Sequence, residues 1–410
     1  MASLGSAKTC RGQQGMISRQ EVMSFSREFG LVANVIEKDF VLGWLLAGIE
    51  AYPEINKHFV FKGGTCLKKC YFETYRFSED LDFTVVDTAY LDPLLLTKAF
   101  REIASWIYEN SGIEIPAEMI RFDAYENPRG MVSVQGKLAY RGPLQPRGDL
   151  PRIKLDLTND EVLVLPAIVQ EIHHPYSDRP DNGISAQCYC FEEVFAEKIR
   201  ALAERERPRD LYDVVNLYRH EDLRPDLKIL MEVLEEKCRF KGIPVPTLEM
   251  LESKPERREL EAEWNNMLAH QLPALPPFME FWKELSGIFA WLQGIGEKPV
   301  QEKMPVMGQQ IDTTWSIPAQ AQVWSAAISL EVVRFAGANR LLVNLGYQNK
   351  HRLIEPYALR KTKDGNILLY AVKHGTGEPR SYRVDRIQSA EATNQSFTPR
   401  YAIELNVTGP

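Results

Sequence analysis

The stretch from Lys62 to Asp87, KGGTCLKKCYFETYRFSEDLDFTVVD, constrains this chain more than any other part of it. An apolar run, Phe59-Val60-Phe61, leads into Gly63-Gly64, and a second strand-like run, Leu81-Asp82-Phe83-Thr84-Val85, follows. Side chains two apart on a strand share a face. Asp80 and Asp82 therefore put two carboxylates on one side, their Cα atoms roughly 6.6 Å apart. Hard anionic oxygens at that spacing suit Mg²⁺, which keeps several waters and completes its shell with substrate phosphates. Gly63 and Gly64 permit a tight turn that brings backbone N–H groups to a phosphate at a helix N-terminus. A glycine cradle followed by Asp-x-Asp is the minimum equipment expected for nucleotidyl transfer.

The remaining composition narrows the classes. A length of 410 residues suits two or three domains, and 44% hydrophobic with 26% charged residues is that of an ordinary globular chain. A net charge of -7 excludes a general nucleic-acid coat, so any RNA or DNA contact must use a local basic patch. Six cysteines form no secreted framework. Cys66 and Cys70 sit one helical turn apart and Cys188-x-Cys190 has no matching second pair, which favours reduced thiols over a zinc site. No run approaches the ~20 apolar residues of a membrane span. Phe40 to Ile49 reads as one buried helix, and the N-terminus carries no signal-peptide pattern. A cytoplasmic protein is expected.

Residues 1–15 read as a mobile tail and 16–190 as the catalytic core. Ser18-x-x-Glu21 spells a capping box and Gly30 a helix end. A second helix is expected from Asn34 to about Tyr52, stopped by Pro53, and a third over residues 92–112. Short alternating runs from Ile120 to Ile172 predict a sheet meander. Helices return over 191–294, with a break before Pro208. Residues 295–320 read as a linker, and 321–410 as a strand-rich, visibly basic module.

In the run Ile153-Lys154-Leu155-Asp156-Leu157, Asp156 falls on the face opposite the apolar residues. It could be a third metal ligand or general base, three carboxylates being enough to hold two Mg²⁺ ions, or a solvated strand aspartate. Ala196-Glu197-Lys198 and Arg209-Asp210-Leu211-Tyr212-Asp213 carry cations able to neutralise a triphosphate, Lys198 as a point charge; the plainer reading is a charged amphipathic helix. His173-His174 reads as a loop pair rather than a metal site, and Trp315 and Trp324 as linker anchors. Tyr75 and Arg76 read as touching the nucleotide or supporting the aspartates.

In order and in wording these blocks resemble the AbiEii-type nucleotidyltransferase toxins of bacterial type IV toxin–antitoxin systems. The likeness rests on Lys62-Gly63-Gly64-Thr65, Arg76-Phe77-Ser78-Glu79-Asp80-Leu81-Asp82-Phe83, Lys154-x-Asp156, and Ala196-Glu197-Lys198 with Arg209-Asp210-x-x-Asp213. It covers about residues 18–290 and implies an α+β, DNA polymerase β-like nucleotidyltransferase core with a helical C-terminal half. It further implies NTP and Mg²⁺ as cosubstrates, a cognate antitoxin, and in some members transfer to the 3′ end of tRNA. Carried over, Lys62, Gly63, Gly64, Thr65, Ser78, Lys198 and Arg209 would hold the nucleotide, and Asp80, Asp82 and Asp156 the metal. Asp210 or Asp213 would order the site. The usual Gly-Ser turn is Gly63-Gly64-Thr65 here, which passes any hydroxyl contact to Thr65.

The tail is similar to a WYL domain, a small β-barrel that in other proteins senses nucleic acids or nucleotides. The matching segments are Arg352 to Leu359, Asn366 to Ala371 and Arg380 to Ile387; the Trp-Tyr-Leu signature itself is absent, and Leu368-Leu369-Tyr370 or a neighbouring triplet occupies its strand. Arg352, Arg380, Tyr382, Arg383 and Arg386 are its candidate nucleic-acid contacts, cations beside an aromatic; solubilising arginines on an edge strand are the alternative. Two rival functions stay open: a nucleotide or nucleic-acid sensor without chemistry, and an enzyme that AMPylates protein. The favoured expectation is a Mg²⁺-dependent nucleotidyltransferase toxin of a toxin–antitoxin or phage-defence system.

Overall fold

The computed structural model describes residues 16–405 except 128, 146–147, 221–222, 256, 297–300 and 318–329. The expected N-terminal tail, Trp324, and residues 297–300 and 318–320 of the expected linker lie outside the described residues.

Helices α1 (Arg19–Phe29) and α2 (Ala33–Glu50) open the fold. Ser18 caps α1 by accepting from the Glu21 N–H, and Gly30 closes it in the left-handed conformation; the Glu21 carboxylate accepts from the Ser177 N–H and hydroxyl instead of turning back to Ser18, so only half of the expected capping box forms. Every residue from Phe40 to Ile49 is buried, so α2 is an interior helix. No helix among the described residues is long and apolar enough to cross a membrane. Pro53 stops α2 and starts the short α3 (Pro53–Asn56).

Next come β1 (Phe59–Lys62), α4 (Gly63–Cys66), which continues as a wider helical turn to Tyr71, β2 (Asp80–Val85) and α5 (Pro93–Ser111). The meander is β3 (Ile120–Glu126), β4 (Val132–Ala139), β5 (Arg152–Thr158), β6 (Ile168–Glu171) and β7 (Ser185–Cys188). These build one mixed seven-stranded sheet in the order β3-β4-β5-β2-β1-β7-β6. Apolar residues at alternate positions of β2 and β5 (Leu81, Phe83; Ile153, Leu155, Leu157) point into the core, leaving the aspartates on the other face.

The helical half is α6 (Phe191–Arg205), α7 (Pro208–Arg219), α8 (Leu227–Lys241), α9 (Leu248–Ser253), α10 (Arg257–Leu268) and α11 (Phe278–Leu292). Pro208 sits in the first turn of α7, where its missing N–H costs nothing.

The tail begins with α12 (Leu330–Ala338), followed by β8 (Leu341–Tyr347), β9 (Lys350–Lys361), β10 (Ile367–Lys373), β11 (Glu378–Arg383) and β12 (Ile387–Ser396). The expected barrel is an open antiparallel sheet instead, in the order β11-β10-β9-β8-β12. Side-chain alternation explains why. Leu341, Val343, Leu345, Leu369 and Ala371 join the main core with α12. Leu342, Tyr357, Leu368, Tyr370 and Val372 pack on the other face against Met304, with Met307 and Ile311 beside them. Both faces are covered by separate layers, so no interior remains to close around. Part of the expected linker is thus a layer of the C-terminal module. Trp315 packs against the main core, as an anchor would.

Candidate active site

The register of the central strands assembles the site. β1 and β2 pair antiparallel with Lys62 opposite Asp82. β2 and β5 pair in parallel with Asp82 beside Asp156. Asp80, Asp82 and Asp156 line one cavity of about 600 Å³, within the ~300–1,000 Å³ usual for small-molecule sites. Gly63, Gly64, Ser78, Lys198, Arg209 and Asp210 line it too.

Gly63 is required twice. Its φ of 80° is one that side chains avoid, and a Cβ there would lie 2.2 Å from Asp82 Oδ2. At Gly64 a Cβ would lie 2.4 Å from Arg76 Nη2. The turn can approach the aspartate strand only because neither residue has a side chain. Thr65 corrects an expectation. Its hydroxyl is buried and donates to the Asp80 carbonyl at 2.5 Å, so it staples the turn to β2 and is not offered to a phosphate.

Electrostatics mark the carboxylates. Burial pushes Asp82 up to about 6, with Asp156 and Asp80 adding to the rise and Lys62 and Lys198 opposing it. Burial raises Asp80 as well, against Lys38 and Lys154. Gln135 donates to Asp156 at 3.3 Å. Carboxylates that disfavour one another's charge in a half-buried cleft suit a divalent cation, and three hard oxygen donors fit Mg²⁺. Their ligand atoms do not all lie within 4.8 Å of one another, a spacing that only Cys66, Cys70 and Cys188 meet among the described residues.

The cations arrive in two states. Lys198 is buried and held by Asp213 at 2.8 Å and Asp210 at 3.5 Å. Asp210 also takes a two-pronged contact from Arg205, at 2.7 and 2.9 Å. Burial opposes their ionisation, yet Arg205 and Lys198 hold Asp210, and Arg76 and Lys198 hold Asp213, below the usual carboxylate range. Both aspartates are fully buried and position the cations of the site. Arg209 differs: its Nε is buried without a hydrogen-bond partner, and burial, then Arg76, lowers its pKa. Lys62 pairs with Glu197 at 3.7 Å and Glu161 at 3.9 Å. Against burial, Lys62, Lys237 and Arg200 hold Glu197 down to about 2.

Tyr75 and Arg76 both bond to Asp213, and Arg76 also lines the cavity while Tyr75 does not. Sequence reasoning missed Glu161, Arg200 and Lys241, which line the cavity; nothing in their local spelling marks them. It also missed the convergence of Cys66, Cys70 and Cys188, all buried. Hydrogen bonds from the Cys66 and Cys70 thiols lower Cys188 to about 5. His173 and His174 are buried, and burial keeps both imidazoles below their ordinary pKa.

On the C-terminal sheet, Arg352, Arg380 and Tyr382 line one concave surface of about 680 Å³ with Lys350, His351 and Lys373. Arg383 and Arg386 do not line it. Strand alternation turns Arg383 away, where it pairs with Asp385 at 2.7 Å, and Arg386 lies beyond the end of β11. Tyr382 is buried edge-on against Tyr347, ring centroids 5.2 Å apart, which leaves little of its face for stacking.

A glycine turn, an aspartate pair and a third strand carboxylate thus meet around one cleft. Residues 44–286 match the family model described as nucleotidyl transferase AbiEii toxin, type IV toxin–antitoxin system. That is more than half of the chain, and the chain belongs to this family of nucleotidyltransferase toxins. Residues 329–392 match the WYL domain. Among solved structures, the nucleotidyltransferase toxin MenT4 from Mycobacterium tuberculosis H37Rv is similar at 16% identity, over 68% of this chain and 88% of that one, with a TM-score of 0.45. JHP933 from Helicobacter pylori is similar at 16% identity, over 65% and 100%, with a TM-score of 0.34. The proteasome accessory factor PafBC of Arthrobacter aurescens is similar at 13% identity, over 70% and 64%, with a TM-score of 0.16. No curated protein matches. The assignment rests on the family match.

Proposed function

We propose that this chain is a Mg²⁺-dependent toxin that transfers nucleotides from NTP to an RNA acceptor, with the tRNA 3′ end as the favoured site. The reading is carried by the meeting of Asp80, Asp82 and Asp156 in the cavity that Gly63 and Gly64 also line. Asp80, Asp82 and Asp156 would hold Mg²⁺. Bound there, the ion would neutralise triphosphate charge and make an acceptor hydroxyl more acidic. The N–H groups of the Gly63-Gly64 turn receive the phosphates. Asp156 takes the proton as the acceptor oxygen bonds to the α-phosphorus and the bond to the β-phosphate oxygen breaks. Arg209, which lines the same cavity, is the cation proposed to meet the departing pyrophosphate. Lys198, already fixed by two aspartates, shapes the field rather than moving to the ligand. Positioning and electrostatics account for the catalysis.

The family carries the expectation of a cognate antitoxin, and a role in phage defence and a cytoplasmic site of action accord with an RNA acceptor. On the WYL sheet, Arg352 and Arg380 are proposed to recruit nucleic acid; Tyr382 serves as their scaffold.

The test is incubation of purified protein with Mg²⁺, each α-³²P-labelled NTP in turn, and total bacterial RNA, beside an Asp80→Ala control. The expected result is label in a small-RNA band with wild type only. Label on protein instead would mean AMPylation, and nucleotide binding without transfer would mean a sensor.

A further inference from the structure

Three cysteines from two separate parts of the chain converge inside the catalytic core. Cys66 ends α4, Cys70 follows one turn later, and Cys188 ends β7. β7 runs parallel to β1 with Cys188 beside Phe61, so the strand that leads into the glycine turn also brings in the third sulfur. All three are buried, none more than 3% exposed, and their Sγ atoms lie within 4.8 Å of one another. None of them lines the aspartate cleft.

A cysteine can pack as a small apolar residue, and one buried thiol would need no other account. Two details go further. The helix widens where the cluster forms: the Phe72 N–H bonds to the Leu67 carbonyl at 2.8 Å, an i→i+5 step, and such turns are frequent at functional sites. The sulfurs also face one another. Cys66 and Cys70 both donate to Cys188 and lower it to about 5, which makes it the readiest thiolate of the three. Thiolate is the form that binds metal.

We propose that Cys66, Cys70 and Cys188 form a three-coordinate site for a soft, thiophilic cation, Cu(I). Three sulfurs about 2.3 Å from a central ion stand about 4.0 Å apart, so atoms already within 4.8 Å need only small movements to close on it. Thiolates select Cu(I) over the hard ions that suit the carboxylates of the cleft. Structural zinc takes four ligands, and no fourth His, Cys, Asp or Glu among the described residues joins this group. The Tyr71 hydroxyl, a further polar group at the cluster, already donates to the Tyr189 carbonyl at 2.5 Å. Binding would release the remaining thiol protons to solvent and tie α4, which begins at Gly63, to β7.

The experiment uses the full chain, reduced and free of oxygen, carrying Cys10→Ser, Cys190→Ser and Cys238→Ala so that no other thiol competes. It is titrated with Cu(I) against a coloured Cu(I) chelator, each point left to equilibrate, and nucleotide transfer is not a readout. One copper per chain is expected to be held, with three sulfur neighbours by X-ray absorption, a measurement that needs no change to the cluster. Cys188→Ser and Cys70→Ala, each read where its metal-free melting curve remains cooperative, are expected to weaken binding by about a hundredfold or more. That exceeds the roughly 10–100-fold that follows loss of a group bonded to a metal ligand. Loss of all copper to the chelator, nitrogen or oxygen atoms around the bound ion, or binding that neither variant weakens would overturn the proposal.

Discussion

Arg76 and Asp213 meet as a bidentate pair, Nε to Oδ1 and Nη2 to Oδ2, both at 2.7 Å, although 137 positions separate them in the chain. Tyr75 adds a third hydrogen bond to Oδ1 and Lys198 an ion pair to Oδ2. The pair ties the loop before the catalytic strand to the helix that carries Asp210. Removing one partner of a buried ion pair leaves the other charge stranded, at a cost of roughly 3–5 kcal/mol. Asp213→Ala is expected to lose stability on that scale in urea unfolding. A loss under about 1 kcal/mol would show that water reaches Arg76 and Lys198 and that the network is not a closed one.

Asp82 makes stability depend on pH in an unusual direction. Its folded pKa, near 6, lies above the ordinary 3.8, so the folded state holds its proton more tightly than the unfolded chain. The stability this provides is complete below about pH 4 and is lost as pH rises through 6. Asp82→Asn cannot ionise and escapes that loss. Without added metal it is expected to melt above wild type at pH 7.5, with the gap closing toward pH 4. Equal melting temperatures at pH 7.5 would contradict this.

The same proton competes with metal. Mg²⁺ needs the carboxylate ionised, so its apparent affinity should fall up to about tenfold per unit as pH drops below 6. Titration of wild type at pH 5 and pH 7.5 measures it. An affinity independent of pH across that window would place the ion away from Asp82.

Gly63→Ala combines a disfavoured backbone conformation with a contact of 2.2 Å to Asp82 Oδ2. Transfer activity is expected to fall by two orders of magnitude or so, as displaced catalytic geometry does, while the stability cost stays in the range of about 1–3 kcal/mol. Gly64→Ala strikes Arg76 instead and should cost more stability. Comparing urea midpoints with labelled-NTP transfer for the two variants separates these effects.

At the interface with the WYL domain, Arg334 is buried against Glu73 at 3.1 Å and also pairs with Glu331. Burial raises Glu73 to about 7, with Arg334 opposing the rise. Burial likewise raises Glu28 to about 7, with Glu331 and Glu73 adding. Arg334→Met removes the opposing cation, so ionising these acids costs more. Its destabilisation should be larger at pH 8 than at pH 5, because the stability of acids with raised pKa is lost as pH rises through 7. A loss equal at both values would mean that Arg334 acts by packing alone.

What could be seen in advance was local. Ser18 and Glu21 spelled a helix start, Pro208 a helix break, and Asp80 and Asp82 a shared strand face, because each depends on neighbours a few residues away. Thr65 was misread because its acceptor is a backbone carbonyl on another strand, which no spelling displays. Glu161 and Lys241 enter the cavity from distant elements, and Cys188 reaches Cys66 and Cys70 only through the pairing of β7 with β1. The open sheet was hidden for a similar reason. Two apolar faces on alternating strands suit a barrel or a sandwich, and the choice fell to Met304 and its neighbours, in a stretch that resembles a linker by composition.

Four consecutive residues answer to opposite ends of the molecule. Glu73 and Thr74 bond to the helix that opens the WYL domain, while Tyr75 and Arg76 bond to Asp213 in the catalytic half. This limits how the two modules can be exchanged by recombination. A foreign tail joined to this core must bring a cation to meet Glu73, or leave a carboxylate sealed in without a counter-charge. With a borrowed core, Arg334 would keep only Glu331 of its own helix in place of the pair with Glu73. The join between the modules is written on both sides of the border, so they are inherited most easily as one piece.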